Sequence, residues 1–382
     1  MRRHVLAVTA AVATLLTGFV SVRSPEWPTA FGAPEPAAAC TGKSVFEVAP
    51  AHDARPLFAH AVSAVMLRDG RLRAVWYQGA RELSPDVRIW TATFDGMRWS
   101  EARPVIGPAE ATAGSGRFVG KVGNPLIFRN SRGELVLLFA SLGKIGGWSG
   151  VSLKATHSRD EGETWSAPRQ LTTAAIFNMA TNVRGPAVPA DGGGFTLVPT
   201  YHEFGKNFPE LVLLDDDDRV VGKRRIGISH MGLQPFILVT DRRHALAFMR
   251  ARDGYTLLSR TADAGDSWTA PVQTSEANSD VPVVVTRIGQ ELLMITSRFD
   301  QAASRWALVF AVSRDGITWR DLALRPFGSG PQDVVKYPWL LAGADGLYHV
   351  LFSVVYGRGG SQLMHARFSR DWIADQDGVP CQ

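Results

Sequence analysis

SRDEGETW, residues 158–165, predicts a repeat fold because its pattern returns along the chain. The other copies, complete or shortened, are TADAGDSW at 261–268, TFDGMRW at 93–99, SRDGITW at 313–319 and a remnant, SRDW, at 369–372. In chain order the copies begin 65, 103, 52 and 56 residues apart, and the doubled interval predicts a missing copy near residue 213, in LLDDDDRVVGKRR. Self-similarity at a fixed period indicates a repeat architecture, here of six units of about 55 residues.

Short apolar runs fill each unit, such as ELVLLFAS at 134–141 and HALAFMRA at 244–251. Runs of this length between turn residues are typical of strands rather than helices. Four short strands per unit, repeated six times, predict an all-β fold, a six-bladed β-propeller. A single domain of this kind can occupy residues 40–382.

The repeated motif has the composition of a turn. Its aspartates can accept hydrogen bonds from backbone N–H groups of their own loop, and its glycines supply a positive φ. Because a catalytic centre is unique whereas this motif recurs in every unit, we interpret its acids as structural. These acids are Asp95, Asp160, Asp263 and Asp315.

The N-terminus, MRRHVLAVTAAVATLLTGFV, places two arginines before an apolar run, and small residues follow to residue 39. This layout is typical of a secretory signal peptide, so we predict a signal peptide and leader at 1–39 and a secreted or periplasmic protein. An uncleaved membrane anchor is the alternative, for which the run is short. We expect no membrane span in the mature chain.

The chain has only two cysteines, Cys40 and Cys381, at the two ends of the predicted domain. In an oxidising compartment such a pair predicts a disulfide that joins the termini. Two unrelated thiols are the alternative.

Composition excludes several classes of function. The net charge of +5 comes from scattered lysines and arginines among nearly as many acids, so we expect no nucleic-acid partner. Two isolated cysteines give no zinc pattern. The acidic run 215–218 lacks evenly spaced calcium ligands and is interpreted as a solvated hairpin tip. We therefore predict no metal and no cofactor.

The pattern Ser/Thr-x-Asp-x-Gly-x-Thr/Ser-Trp, complete at 158–165 and 261–268, resembles the Asp-box of the sialidase (neuraminidase) superfamily. The resemblance implies an arginine triad that binds a substrate carboxylate, an aspartate acid/base, and a tyrosine nucleophile paired with a glutamate. It implies a glycoside hydrolase that releases a terminal sugar. Asp-boxes also occur in propellers with other functions.

The first unit departs from this family pattern. His60 lies where the resemblance places the first triad arginine, in HAVSAVMLRDG. The segment WYQGARELSPDVRIW, 76–90, looks like a divergent sialidase-like branch in which a histidine is typical at that point. Its loop acids are Glu82 and Asp86, and the resemblance implies that Asp86 is the acid/base. Two solvated loop acids are the alternative.

In the last unit, Tyr337 of KYPWLLAGADG corresponds to the family's nucleophile. Since a phenol is a weak nucleophile until a carboxylate takes its proton, Asp280 is the predicted acceptor. Arg250 and Arg298 are the predicted pair for an anionic sugar, because an arginine fork matches a carboxylate. Arg184 and Arg358 are the reserves.

Further polar residues lie at analogous strand ends, and together they predict a polar pocket for sugar hydroxyls. They are Asn124, His202 and Gln234. We therefore predict an exo-glycosidase acting on glycans with a terminal carboxylated sugar, sialic acid first. The alternatives are a non-catalytic glycan-binding propeller and a lyase of uronate polysaccharides, in which a tyrosine or histidine removes a proton.

Overall fold

The computed structural model describes residues 26–34, 37–143, 147–174, 178–227, 232–278, 280–378 and 381. These residues form six antiparallel sheets, one for each predicted unit, and thereby confirm the six-bladed propeller. In each sheet the first strand along the chain lies innermost and the later strands follow outward. The exception is the sixth sheet, described below.

The blades are built from strands of ordinary length. Blade 1 contains β2 (Phe58–Met66), β3 (Leu72–Gly79), β4 (Arg88–Phe94) and β5 (Arg103–Ile106). Blade 2 contains β6 (Lys121–Arg129), β7 (Leu135–Leu142), β8 (Ser152–Ser158) and β9 (Arg169–Gln170). Blade 3 contains β10 (Thr181–Val183), β11 (Val188–Pro189), β12 (Phe195–Phe204), β13 (Lys206–Asp215) and β14 (Val220–Arg225).

The second half of the ring follows the same plan. Blade 4 contains β15 (Leu233–Val239), β16 (Ala245–Arg250), β17 (Tyr255–Thr261) and β18 (Val272–Ala277). Blade 5 contains β19 (Val284–Ile288), β20 (Glu291–Asp300), β21 (Arg305–Ser313) and β22 (Arg320–Pro326). Blade 6 contains β23 (Val334–Ala342), β24 (Tyr348–Val355), β25 (Ser361–Phe368) and β1 (Phe46–Asp53). The helical segments are α1 (Pro108–Ser115), a 3-10 turn (Trp148–Gly150) and α2 (Arg370–Asp377).

Blade 6 closes the ring because its outermost strand comes from the other end of the chain. Strand β1 pairs antiparallel with β25, from Phe46 opposite Phe368 to Asp53 opposite Gln362. The predicted Cys40–Cys381 disulfide is present beside this pair. The disulfide was predicted from the two cysteines, whereas the pairing of β1 with blade 6 was not, since β1 carries no repeat motif.

Part of the predicted leader packs on the propeller. Phe31 is fully buried and forms an isolated bridge with Ala190 of blade 3. Farther along, the backbone N–H of Ala38 donates to the hydroxyl of Tyr348 in blade 6, at 3.1 Å. Residues 26–34 and 37–39 thus contact the folded domain, while 1–25 lie outside the described residues. No helix among the described residues is long and apolar enough to cross a membrane.

The repeated motif forms the turn between the third and fourth strands of a blade. In blade 2, Asp160 accepts hydrogen bonds from Thr164 N (2.9 Å), Thr164 Oγ1 (2.6 Å) and Ser158 Oγ (2.7 Å). These bonds, led by that of Thr164, hold the pKa of Asp160 well below its usual value. The corresponding acceptors in the other blades are Asp95, Asp215, Asp263 and Asp315.

Two of these turns explain the irregular copies. Asp215 occupies the position of the missing copy, in the turn after β13. The remnant at 369–372 follows β25, where no fourth strand continues the chain. There Ser369 Oγ accepts a hydrogen bond from Trp372 N at 3.0 Å and caps α2, because the fourth strand is supplied by β1.

A chain of hydrogen-bonded side chains, called here the histidine relay, connects blades 1 and 6. Trp99 Nε1 donates to His365 Nδ1 at 3.3 Å, His365 Nε2 faces His349 Nδ1 at 2.9 Å, and His349 Nε2 faces Asp345 at 3.0 Å. Because an indole N–H can only donate, this chain assigns one proton to the Nε2 atom of each neutral histidine. Burial is the main cause that lowers the pKa of His365 to about 3.

Removing the disulfide will destabilise the closed ring. For Cys381→Ser we expect a loss of about 2–4 kcal/mol in the free energy of unfolding, because the bond joins residues 341 positions apart. Urea unfolding of the variant, and of the parent with its disulfide reduced, measures this loss against the oxidised parent. A variant as stable as the oxidised parent would show that β1 alone closes the ring.

Acid will destabilise the histidine relay. The folded pKa of His365 is depressed, so its contribution is complete above the unfolded value of about 6.5 and is lost as the pH falls toward about 3. Within this window we expect stability to fall by up to about 1.4 kcal/mol per pH unit from this group.

Thermal unfolding of His365→Gln between pH 4 and 7 tests this expectation against the parent. The variant's melting temperature should depend less steeply on pH. The exposed His244, which lies on Asp241, provides the control His244→Gln. Equal slopes in the parent and in His365→Gln would refute the assignment.

Candidate functional site

One end of the propeller axis collects strained, polar residues from the innermost segments. Each blade has one non-glycine residue with positive φ at or just before its innermost strand, and they are Ala61, Asn124, Ala180, Gln234, Asp280 and Tyr337. Four of them, Ala61, Asn124, Gln234 and Tyr337, lie in β-bulges, where the pairing register shifts. Such backbone strain costs about 1–3 kcal/mol per residue and tends to cluster at functional sites.

Hydrogen bonds link several of these side chains. Gln234 Nε2 donates to the hydroxyl groups of Tyr337 and Tyr201, each at 3.3 Å. Asn124 Nδ2 donates to the Tyr201 hydroxyl at 3.4 Å and to Asn182 Oδ1 at 2.9 Å. The structure therefore brings together Asn124, Gln234 and Tyr337, three of the residues predicted from the sequence. We call the group formed by these five side chains, His60 and Arg250 the axial pocket.

Arg250, the last residue of β16, also reaches this pocket. Its Nη1 donates to the Tyr337 hydroxyl at 3.4 Å, and its Nε lies 3.2 Å from Asp280 Oδ1. The predicted Arg250, Tyr337 and Asp280 are thus close in space. However, the Asp280 carboxylate pairs with the arginine, and among the described residues the hydroxyl of Tyr337 contacts Gln234 and Arg250 rather than an acid.

His60 lies against the nucleophile candidate. Its ring is 4.2 Å from the ring of Tyr337, centroid to centroid, and its Nδ1 atom is buried without a hydrogen-bond partner. Burial first, and then the charges of Lys336, Arg184 and Arg250, hold the pKa of His60 well below its usual value. His60 is therefore a neutral imidazole, and its buried, cationic surroundings make it a weak base.

Arg184 forms the base of the pocket. Its guanidinium donates to the carbonyl oxygens of Val62 (2.8 Å), Tyr337 (3.2 Å) and Pro338 (3.0 Å), and it lies 5.1 Å from the centre of the Tyr337 ring. Burial lowers its pKa to about 10. Among the described residues it has no carboxylate partner, so its charge raises the positive potential under Tyr337.

Two residues that the sequence analysis passed over flank His202. Tyr201 belongs to the hydrogen-bonded group, whereas His202 stacks on Phe208 at 4.7 Å, away from the pocket. Because side chains alternate along a strand, Glu203 shares the face of Tyr201. Burial raises the pKa of Glu203, although Arg250, among other groups, acts against this rise. Strand alternation was the signal that could have identified Tyr201 and Glu203.

The loop acids of blade 1 have different environments. Asp86 accepts hydrogen bonds from Ser84 Oγ and from Ala80 N, the latter at 2.7 Å, and these contacts lower its pKa. An ionised carboxylate that holds its own loop is poorly suited to donate a proton. Glu82 instead accepts a hydrogen bond from Trp148 Nε1 at 3.0 Å, and its charge contributes to the raised pKa of the buried Tyr77.

Arg298, the other arginine predicted to bind the sugar carboxylate, forms ion pairs with protein carboxylates. Arg298 pairs with Glu276 at 3.3 Å and with Asp321, so it joins blades 4 and 5. Burial raises the pKa of Glu276 to about 7. The reserve Arg358 is exposed in the loop between β24 and β25. Neither arginine has a recorded contact with Tyr337.

The opposite end of the axis is different in character. A cavity of about 390 Å³ lies there, with walls that include Met66, Ile127, Phe236 and Leu340. Trp339 lines this cavity, and Arg184 lies over the Trp339 ring at 5.4 Å. Among the described residues no group of three or more His, Cys, Asp or Glu side chains could hold a metal ion. The chemistry-bearing side chains therefore converge on the axial pocket.

The chain is a closed six-bladed propeller with polar and cationic side chains gathered at one end of its axis. Residues 70–350 match the BNR repeat-like domain family, and the chain belongs to this family. No curated protein matches the sequence.

Solved structures share the fold at low sequence identity. A protein of unknown function from Dyadobacter fermentans has a TM-score of 0.69 at 14% identity, over 86% of this chain and 98% of its own. The NanB sialidase of Streptococcus pneumoniae has a TM-score of 0.65 at 11% identity, over 84% of this chain and 70% of its own. The intramolecular trans-sialidase of Ruminococcus gnavus has a TM-score of 0.62 at 13% identity, over 86% of this chain and 98% of its own.

Replacing Arg184 will destabilise the protein. Arg184→Met leaves three carbonyl oxygens without a donor, and we expect a loss of about 1–3 kcal/mol in the free energy of unfolding. Urea unfolding measures it, with the exposed Arg358→Met as the control. Full stability of Arg184→Met would mean that this arginine has no structural role and is free for a ligand.

Proposed function

We propose that this protein is an exo-glycosidase that releases a terminal carboxylated sugar from glycans, with sialic acid as the first candidate. The observation that carries the proposal is the contact between Arg250 and the Tyr337 hydroxyl inside the axial pocket. It combines a group that binds carboxylates with a group that can attack a sugar carbon.

Positive charge in the pocket supports an anionic substrate. Arg250 and Lys336 both lie close enough to lower the pKa of His60, and the charge of Arg184 lies beneath Tyr337. Lys336 has no ion-pair partner among the described residues. A substrate carboxylate near Arg250 would compete with Asp280, which is half exposed and can turn toward solvent.

Tyr337 is the proposed nucleophile. As its oxygen attacks the anomeric carbon, its proton must pass to another group, and neither Gln234 nor Arg250 can accept a proton. Asp280 is paired with Arg250. The ring of His60 lies 4.2 Å from that of Tyr337, so we assign this role to His60, although its cationic neighbours make it a weak base. The positive potential of the two arginines favours the negative charge that develops on the phenol oxygen.

Glu203 is the proposed general acid. Its raised pKa keeps a proton available for the leaving glycosidic oxygen, as a general acid requires. In the second half of the reaction it takes a proton from the water that cleaves the tyrosyl bond, and Tyr337 recovers its proton from His60. Glu82 is the reserve, and Asp86 would serve only if its loop opened.

Solved structures of the same fold support a glycan substrate. The Ruminococcus gnavus trans-sialidase was determined in complex with oseltamivir carboxylate, a carboxylated ligand. We also propose export, because the disulfide fits an oxidising compartment.

Binding without catalysis is the second candidate function. It is favoured by the absence, among the described residues, of an acid hydrogen-bonded to the Tyr337 hydroxyl. A uronate lyase is the third, favoured by the neutral His60 beside Tyr337, since either residue could remove a proton next to a carboxylate.

Activity assays with Tyr337→Phe separate these candidates. Purified parent and variant are incubated with sialosides and with uronate polymers. We expect the variant to lose at least about a thousandfold in kcat on the sialoside, because the attacking oxygen is missing. Tyr255→Phe, at a partly exposed tyrosine of β17, is the matched control.

Each candidate has its own outcome in this assay. Released sialic acid supports the hydrolase, and unsaturated products that absorb in the ultraviolet indicate the lyase. Binding with no turnover indicates the glycan-binding protein. Equal activity of Tyr337→Phe and the parent would rule out the proposed mechanism.

A further inference from the structure

Gln234 is the most constrained polar residue of the axial pocket. It is 3% exposed and has a φ of 50°, in the region that non-glycine residues rarely adopt. Its Nε2 atom donates to both Tyr201 and Tyr337, while its Oε1 atom is buried without a hydrogen-bond partner. One half of the amide is therefore anchored and the other half is unused.

Unused polar atoms at such burial are rare in folded proteins, and each one needs an explanation. The positive φ of Gln234 costs conformational energy, so the surrounding structure must hold this residue, and with it the side-chain amide, in place. In the same pocket His60 Nδ1 and Asn182 Nδ2 are also buried without a hydrogen-bond partner. Unpartnered atoms on three side chains of the axial pocket indicate a place where a ligand supplies the missing hydrogen bonds.

The chemistry of the ligand group follows from the neutrality of these side chains. The unpartnered Oε1 atom of Gln234 is an acceptor and cannot bind an ionised carboxylate, which finds its partner at Arg250. A hydroxyl group can both donate and accept, so it satisfies the free half of Gln234 whether that atom is the amide oxygen or, after a flip of the amide, the nitrogen. Sugars are the ligands that offer hydroxyl groups beside a carboxylate.

We propose that Gln234 is a specificity-determining residue that binds one ring hydroxyl group of the sugar. The inference rests on the proposed function only in placing a sugar in the axial pocket. It adds that the sugar lies with a hydroxyl-bearing edge toward Gln234 and its carboxylate toward Arg250. A sugar without that hydroxyl leaves a buried amide group unpaired and is rejected.

Binding measurements on Gln234→Met test the proposal. The methionine keeps the length of the side chain and removes both polar atoms. The ligands are N-acetylneuraminic acid, glucuronic acid, glucose, and derivatives that each lack one hydroxyl group. Titration calorimetry gives the affinity of parent and variant for each ligand, so that no turnover is needed.

We expect the loss of one particular hydroxyl group to weaken binding to the parent but not to Gln234→Met. The parent should bind one deoxy derivative at least about tenfold more weakly than the intact sugar, and Gln234→Met should bind the two equally. Gln78→Met is the matched control, because Gln78 is also buried but its Oε1 accepts from Trp76 Nε1 and contacts His52. The control should keep the preference of the parent.

The outcomes separate this inference from the proposed function. If carboxylated sugars bind but Gln234→Met weakens every ligand equally, or none, the hydroxyl contact is refuted and the proposed function survives. If glucose binds as tightly as the acids with the same dependence on Gln234, the inference stands and the preference for a carboxylate fails. If the parent binds no sugar, both are overturned.

Discussion

The two ends of the chain are joined in blade 6, and this joint closes the ring of blades. Strand β1 from the N-terminal part pairs with β25 near the C-terminus, and the Cys40–Cys381 disulfide joins the same two regions. The axial pocket exists only in the closed ring, because His60 belongs to blade 1 and Tyr337 to blade 6. Any change that opens this joint separates the two rings that lie 4.2 Å apart.

Within the closed ring, strain and charge are concentrated at one end of the axis. The innermost strands bulge there, which turns Gln234 and Tyr337 into conformations that ordinary residues avoid. Arg184 occupies the base, held by three carbonyl oxygens from blades 1 and 6. Its burial without a counterion among the described residues is unfavourable for folding, but it places a positive potential where an anionic substrate would bind.

Two departures from the sialidase pattern each place a neutral group where the pattern has a charged one. His60 is neutral where an arginine was expected, and Gln234, which cannot take a proton, contacts the Tyr337 hydroxyl where an acid was expected. Around Tyr337 the axial pocket therefore has fewer charged side chains than the family pattern implies. Recognition of hydroxyl groups fits such a pocket, and proton transfer depends on His60 and Glu203.

The sequence by itself determined the architecture and several members of the pocket. The period of the turn motif set the number of blades, because each turn uses local hydrogen bonds that depend only on neighbouring residues. Asn124 and Gln234 were identified because they lie at analogous positions of successive units. Tyr337, Arg250 and His60 were identified through the resemblance to the sialidase superfamily.

Only the tertiary structure decided how these residues are used. Asp280 and Arg298 were plausible partners in sequence, yet each pairs with a side chain from a neighbouring segment that no motif connects to it. Tyr201 and Glu203 were missed in favour of His202, because the face of β12 that meets the axis depends on its pairing with β10 and β13. Burial then set the neutral state of His60 and the raised pKa of Glu203, and burial is a property of the whole ring.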